Sequence, residues 1–117
     1  MARDEKFKRT GIEVTMDGWD KIVIVRFKGG VWTRFRVREY PSGLDIENTN
    51  TYPEHRFGEG YGTEALKILK RFAKNRGHKM VRARYAAPKA RPFWTRSGFT
   101  PECTGGYVYE FDAQGKS

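Results

Sequence analysis

The alternation across Val31–Arg38 (VWTRFRVR) is the strongest constraint on what this chain can fold into. Val31, Thr33, Phe35 and Val37 take turns with Trp32, Arg34, Arg36 and Arg38. A period of two sends successive side chains to opposite faces, so this stretch is predicted to be a strand with an apolar face and an arginine face. Lys21–Lys28 (KIVIVRFK), rich in β-branched residues, reads as its partner across a Gly29-Gly30 hairpin turn. A short strand at Gly11–Thr15, turns at Met16-Asp17-Gly18 and Pro41-Ser42-Gly43, and a strand at Leu44–Thr51 complete a predicted antiparallel meander.

The period then changes. Gly62–Arg76 (GTEALKILKRFAKNR) places apolar residues at 65, 66, 68, 69, 72 and 73, which is a helical stripe. Lys67, Lys70, Arg71 and Lys74 lie off that stripe, and Gly77 supplies the stop. Met80–Tyr85 reads as a strand and Ala90–Ser97 as a short helix whose Pro92 falls in the first turn. Phe99–Pro101 and Tyr107–Phe111 read as closing strands around Gly105-Gly106. The expected fold class is mixed α/β (α+β), with residues 1–117 as a single domain and loose ends at about 1–10 and 113–117.

The formal charge of +9 is unevenly placed. Ala65–Pro101 holds eleven basic residues and no Asp or Glu, whereas residues 1–64 carry eleven of each sign. Such a run is either a solvated basic face of the helix and its flanks or a site for an anionic partner, nucleic acid or a phosphorylated cofactor. Cys103 is the only cysteine, which excludes a disulfide scaffold. With two histidines, His55 and His78, a Cys/His zinc site would need most of its ligands from elsewhere, so no metal is expected. No stretch approaches the ~20 apolar residues of a membrane span. These features point to a cytoplasmic protein with no membrane partner.

Between the last strand of the meander and the long helix lies Pro53-Glu54-His55-Arg56-Phe57-Gly58-Glu59-Gly60-Tyr61-Gly62-Thr63. Three glycines at alternate positions let the backbone turn with its N–H groups exposed, and a helix N-terminus adds the positive end of its dipole. No Gly-Lys-Ser/Thr closes the loop, so it is not a Walker A loop, and its glycine spacing is not the dinucleotide fingerprint. Phe57-Gly58-Glu59-Gly60-Tyr61-Gly62 resembles the Arg/Gln-x-x-Gly-x-Gly/Ala loop of the GNAT superfamily of acetyl-coenzyme A-dependent N-acyltransferases. Phe57 stands where Arg or Gln is expected, and Arg56 comes one residue early. About thirty residues on, Ala90-Arg91-Pro92-Phe93-Trp94-Thr95-Arg96-Ser97-Gly98-Phe99 resembles that family's Ala-x-x-Phe-Tyr-x-x-x-Gly-Phe block. The ordered pair of motifs covers residues 44–111.

The resemblance implies a mostly antiparallel sheet, splayed between Leu44–Thr51 and Met80–Tyr85 where the pantetheine arm of acetyl-CoA adds to the strand edge. It implies cofactor contacts from Arg56, Phe57, Gly58, Glu59, Gly60, Tyr61, Gly62, Thr63, Phe93 and Arg96. In several family members a carboxylate on the strand before the loop is the general base; Asp45 and Glu47 lie there. Their spacing of two places them on one face, either as base or amine-binding carboxylates or as strand carboxylates paired with arginines of the next strand. Trp94 occupies the position of the family's acid tyrosine, and indole N–H cannot supply a proton at neutral pH. Tyr85, Tyr107, Tyr109 and Cys103 are the other candidates for that role. Ala87 replaces the family's Asn. Residues 15–21 are too short for the helices that usually wall the acceptor site. An open site, favouring a protein lysine or N-terminus over a small enclosed metabolite, is therefore expected, in a monomer or homodimer. The rival reading is a basic nucleic-acid-binding or interaction module on the same fold, motivated by Arg34, Arg36 and Arg38. His55 is expected on the loop surface, and Trp19, Trp32 and Trp94 in core or interface positions.

Overall fold

The computed structural model describes residues 5–84 and 86–111. Four strands form the meander: β1 (Arg9–Asp17), β2 (Asp20–Phe27), β3 (Val31–Glu39) and β4 (Leu44–Tyr52). A short 3-10 turn at Glu54–Arg56 leads into helix α1 (Tyr61–Asn75). Then come β5 (Met80–Ala83), a 3-10 turn at Pro88–Ala90, helix α2 (Arg91–Arg96), β6 (Thr100–Pro101) and β7 (Tyr107–Glu110). The strands make one seven-stranded sheet in the order β1-β2-β3-β4-β5-β7-β6, antiparallel throughout except for β4 and β5. That exception follows from α1, which carries the chain across the sheet between the two strands.

The alternation in β3 sorts as expected. Val31, Thr33, Phe35 and Val37 are fully buried, and the arginines point to the opposite face. The buried side receives α1 through Tyr61, Ala65, Leu66, Leu69 and Ala73, which pack with Val25, Phe35, Val37, Leu44 and Val81 in one core. Burying each of the larger aliphatic chains is worth roughly 1.5–3 kcal/mol, and this coverage holds the helix on the sheet. The arginine face is held in part by ion pairs. Buried Asp20 accepts from Arg36 Nε at 2.6 Å and from Arg38 Nε at 2.7 Å.

Three sequence-based expectations need correction. The first strand begins at Arg9 and runs to Asp17, and Phe7 packs edge-on against Tyr61, so residues 5–10 are not a loose start. Lys70 is not part of a solvated basic face: it is half-buried, donates to the Ser97 carbonyl at 2.8 Å and lies over the Tyr109 ring at 4.1 Å. Burial, with Lys67 nearby, lowers its pKa. Trp19, expected in a core or interface position, stands exposed at the β1–β2 turn, 87 % accessible. The third concerns β4, where Val37 pairs with Ile46 but Arg36 pairs with Asn48. Glu47 is thus the extra residue of a β-bulge, and the alternation that was to place it beside Asp45 breaks there. Beyond the bulge Thr49 and Thr51, rather than Asn48 and Asn50, take the core side; the hydroxyls of Thr51 and buried Thr33 share a hydrogen bond at 2.9 Å. The expected loose tail at 113–117 lies outside the described residues.

Candidate functional site

The β4–β5 ladder is short. Leu44, Asp45 and Ile46 pair with Val81, Arg82 and Ala83, and there the pairing stops while β4 runs on for six more residues to Tyr52. The two strands part at the bulge, leaving the β5-facing backbone groups of the last part of β4 without a ladder partner among the described residues. A cleft of about 800 Å³ opens at this fork. One wall is the end of β4 (Thr49, Asn50 and Thr51), a second is the glycine loop with the start of α1, and a third is the segment Lys89–Arg96. The loop motif and the downstream block, thirty residues apart in sequence, therefore face each other across one cavity.

The loop is shaped by its glycines. Gly58 and Gly60 have φ of +89° and +101°, a region that disfavours side chains, and a Cβ on Gly60 would lie 3.0 Å from Phe7 Cζ. Gly62 has an ordinary backbone but a close neighbour: a Cβ there would meet Phe93 Cε1 at 3.4 Å and Thr51 Oγ1 at 3.7 Å. Gly60 caps α1 without any side-chain hydrogen bond, and the first helical bond runs from Glu64 N–H to the Gly60 carbonyl at 3.1 Å. The N–H groups of residues 61–63 thus have no acceptor within the helix, and they sit where its dipole is positive.

Of the ten residues expected to hold a cofactor, nine line this cleft: Arg56, Phe57, Gly58, Glu59, Gly60, Gly62, Thr63, Phe93 and Arg96. The side chain of Tyr61 does not. It is buried against Phe7 and Phe27, and its hydroxyl accepts from Arg56 Nη2 at 2.9 Å. Arg56 also donates to Glu59 at 3.0 Å, which pulls that carboxyl below its ordinary range. Lys67 pairs with Glu64 at 3.2 Å, whereas Lys89 and Arg96 have no ion-pair partner among the described residues. Phe57 projects 76 % exposed at the mouth. Thr49, Asn50 and Phe7 are lining residues that sequence reasoning missed. Thr49 and Asn50 were hidden by the bulge, and Phe7 is brought in by a contact from the far end of the chain.

Neither candidate carboxylate lines the cleft. Asp45 is buried on the second rung of the β4–β5 ladder, 3.8 Å from Arg82 Nη1 and 3.6 Å from Arg84 Nε. Burial raises its pKa, partly opposed by these two arginines, and nearby Glu102 adds to the rise. Glu47 stands at the bulge, immediately after the last rung. Trp94 is buried, edge-on to both Phe93 and Phe99. Tyr107 is buried in the core, Tyr109 packs on Phe99 and Phe111, and Cys103 is exposed; none of the three lines the cleft. Tyr85 lies outside the described residues. His55 is exposed in the 3-10 turn, as expected.

The fold is similar to that of a solved structure. A protein from Desulfovibrio desulfuricans assigned to the GNAT family of acetyltransferases superposes with a TM-score of 0.62 at 19 % identity, covering 78 % of this chain and 68 % of that one. The chain has the GNAT fold. A second match, from Agrobacterium tumefaciens and also assigned as an acetyltransferase, has a TM-score of 0.47 at 17 % identity, covering 92 % of this chain and 76 % of that one. No protein-family model matches the chain, and no curated protein matches it in sequence. In this GNAT fold the β1–β2 connection is a tight turn with Asp17 paired to Asp20, so no helices intervene between the first two strands. Among the described residues no helix is long and apolar enough to cross a membrane.

Proposed function

We propose that this chain is an N-acetyltransferase that moves an acetyl group from acetyl-CoA to an amine, the amine being a protein lysine or N-terminus. The observation that carries the reading is the meeting of glycine loop, β4 edge and Phe93–Arg96 segment on a single cleft at a strand fork. The cleft fits the cofactor on three counts. Its volume lies within the range of sites for cofactors and similar ligands. Its floor has uncapped helix N–H groups suited to a pyrophosphate. The buried Thr49 Oγ1 has no hydrogen-bond partner among the described residues, an orphan that a bound polar group would satisfy.

In this reading the N–H groups of residues 58–63 hold the pyrophosphate, and Lys89 and Arg96 neutralise the outer phosphate. The free β4 edge hydrogen-bonds the amide groups of the pantetheine arm as an added strand would. Acetyl-CoA supplies the activated acetyl group as a thioester. Glu47, at the fork, takes the proton from the attacking amine, directly or through water, and Asp45, on the second rung of the ladder, is the second candidate. Trp94 donates no proton, so departure of the thiolate is unassisted from that position. The tight β1–β2 turn leaves the acceptor side without a helical wall, which suits a polypeptide substrate.

The nucleic-acid reading loses its motivating residues to ion pairs: Arg36 and Arg38 are tied to Asp20, and only Arg34 of the three lacks a partner among the described residues. The test of the proposal is release of free coenzyme thiol in the presence of a lysine-rich peptide. Turnover that requires the peptide amine supports it; bound acetyl-CoA with no peptide-dependent release would reduce the protein to a binding module.

A further inference from the structure

The strand at one end of the sheet has an unusual surface. β1 is an edge of the sheet, and Ile12, Val14 and Met16 stand opposite Val25, Val23 and Lys21 of β2. They therefore continue the core face of the sheet one strand outward. Val23 and Val25 are buried there, but Ile12 and Val14 are 42 % and 43 % exposed and Met16 is 64 % exposed. Edge strands are normally blunted by Pro, Lys or irregularity. The stretch Gly11–Asp17 has no Pro and no basic residue, and its single mid-strand charge, Glu13, is tied back to Arg26 at 2.5 Å. Trp19 stands exposed at the same end as Met16.

We infer that this edge is the two-fold interface of a homodimer, in which the β1 strands of two copies pair antiparallel and join the two sheets. Three features single out a second copy of this chain as the occupant. First, the regular part of the edge is bounded by a register shift between Arg9 and Gly11 and by the turn after Asp17, so its centre is Val14. A two-fold axis at Val14 aligns these seven residues end to end with their own copy. Second, that register sets Val14 against Val14 and Ile12 against Met16, while Glu13 meets Thr15, so apolar residues match and like charges do not. Third, the strand is polar in charge: Lys8 and Arg9 lie at its start and Asp17 at its end, and antiparallel pairing brings unlike ends together. An isologous contact of this kind closes on itself and yields a dimer rather than a fibre. In the sheet order the interface lies three strands away from the fork at β4.

Sedimentation equilibrium of the full chain tests the pairing. The expected mass is twice 13.6 kDa for the native chain and 13.6 kDa for Val14→Lys, with unchanged circular dichroism. A monomeric native chain at millimolar concentration overturns the inference, as does a folded Val14→Lys variant that stays dimeric. Should Val14→Lys fail to fold, the milder Val14→Cys decides the matter in a Cys103→Ser background. Cross-strand Cβ atoms lie about 4.5–5.5 Å apart, so oxidation by copper phenanthroline should link most chains in pairs. Thr100→Cys, at the opposite edge, should remain largely unlinked. Equal linking of the two variants, or none in Val14→Cys, contradicts the two-fold at Val14.

Discussion

Gly62 lies against the ring of Phe93, with room for no more than a methyl group: a Cβ at position 62 would sit 3.4 Å from Phe93 Cε1. This contact joins the first turn of α1 to α2 and closes one end of the cleft between the two motifs.

Gly62→Leu should therefore fill the cleft and push the Phe93 ring aside, while the backbone at this position, ordinary helix, accepts a side chain. The expected result is a loss of acetyl-CoA affinity of about tenfold or more, equivalent to about 1.4 kcal/mol. Titration calorimetry reads the affinity and thermal melting reads the fold. Full affinity in a folded Gly62→Leu protein would place the cofactor elsewhere.

At Gly60 the conformation itself matters. With φ at +101° and Phe7 Cζ only 3.0 Å from where a Cβ would stand, a side chain costs about 1–2 kcal/mol in backbone strain before any ligand is considered. Gly60→Asn and Gly60→Asp are similar in shape, and both residue types tolerate the left-handed region better than most. Their difference in acetyl-CoA affinity reports charge. Asp should bind at least about tenfold more weakly than Asn because it sets a carboxylate against the phosphates. Equal affinities would argue against an anion in the loop.

Glu47→Gln and Asp45→Asn address the base. Loss of a general base lowers turnover by about 10²-fold or more. Glu47→Gln is expected to show that loss with acetyl-CoA affinity nearly intact, since Glu47 does not line the cleft. Asp45→Asn should lower turnover less, because Asp45 is already engaged by Arg82 and Arg84. Unchanged rates in both variants would move the base to another group.

A separate cluster governs acid stability. Arg76 donates to Glu39 at 2.9 Å, and Lys21 and His78 close around the same carboxylate. Led by Arg76, these partners hold the Glu39 carboxyl down at about 2 against the opposing effect of burial. A carboxyl whose folded pKa lies below its ordinary 4.5 contributes stability that is complete above 4.5 and is lost as pH falls towards 2. The melting temperature should thus decline between about pH 4.5 and 2. Glu39→Gln should melt lower at neutral pH and show a flatter acid limb over that window. An identical acid limb in the variant would remove Glu39 from this role.

Much of this architecture is legible along the chain because its causes are local. The alternation of Val31–Arg38 and the stripe from Ala65 to Ala73 each follow from one period, and the structure sorts them accordingly. The cleft's loop and block are legible because each is a contiguous segment. What could not be read depends on partners distant in sequence. The bulge at Glu47 arises from the registry of β4 on β3, and it transfers Thr49 and Thr51 to the core side. Phe7 enters the cleft wall only because Tyr61, expected to face a ligand, turns inward to meet it. Lys70 looks like one more surface cation until Tyr109 and the Ser97 carbonyl are brought over it.

Occupation of the cleft at the β4–β5 fork by acetyl-CoA is the central claim, and direct titration calorimetry of the purified chain tests it. Saturable binding is expected at one cofactor per chain, weakened by Arg96→Gln and by rising salt because the contacts are to phosphates. No detectable binding at millimolar acetyl-CoA would contradict it.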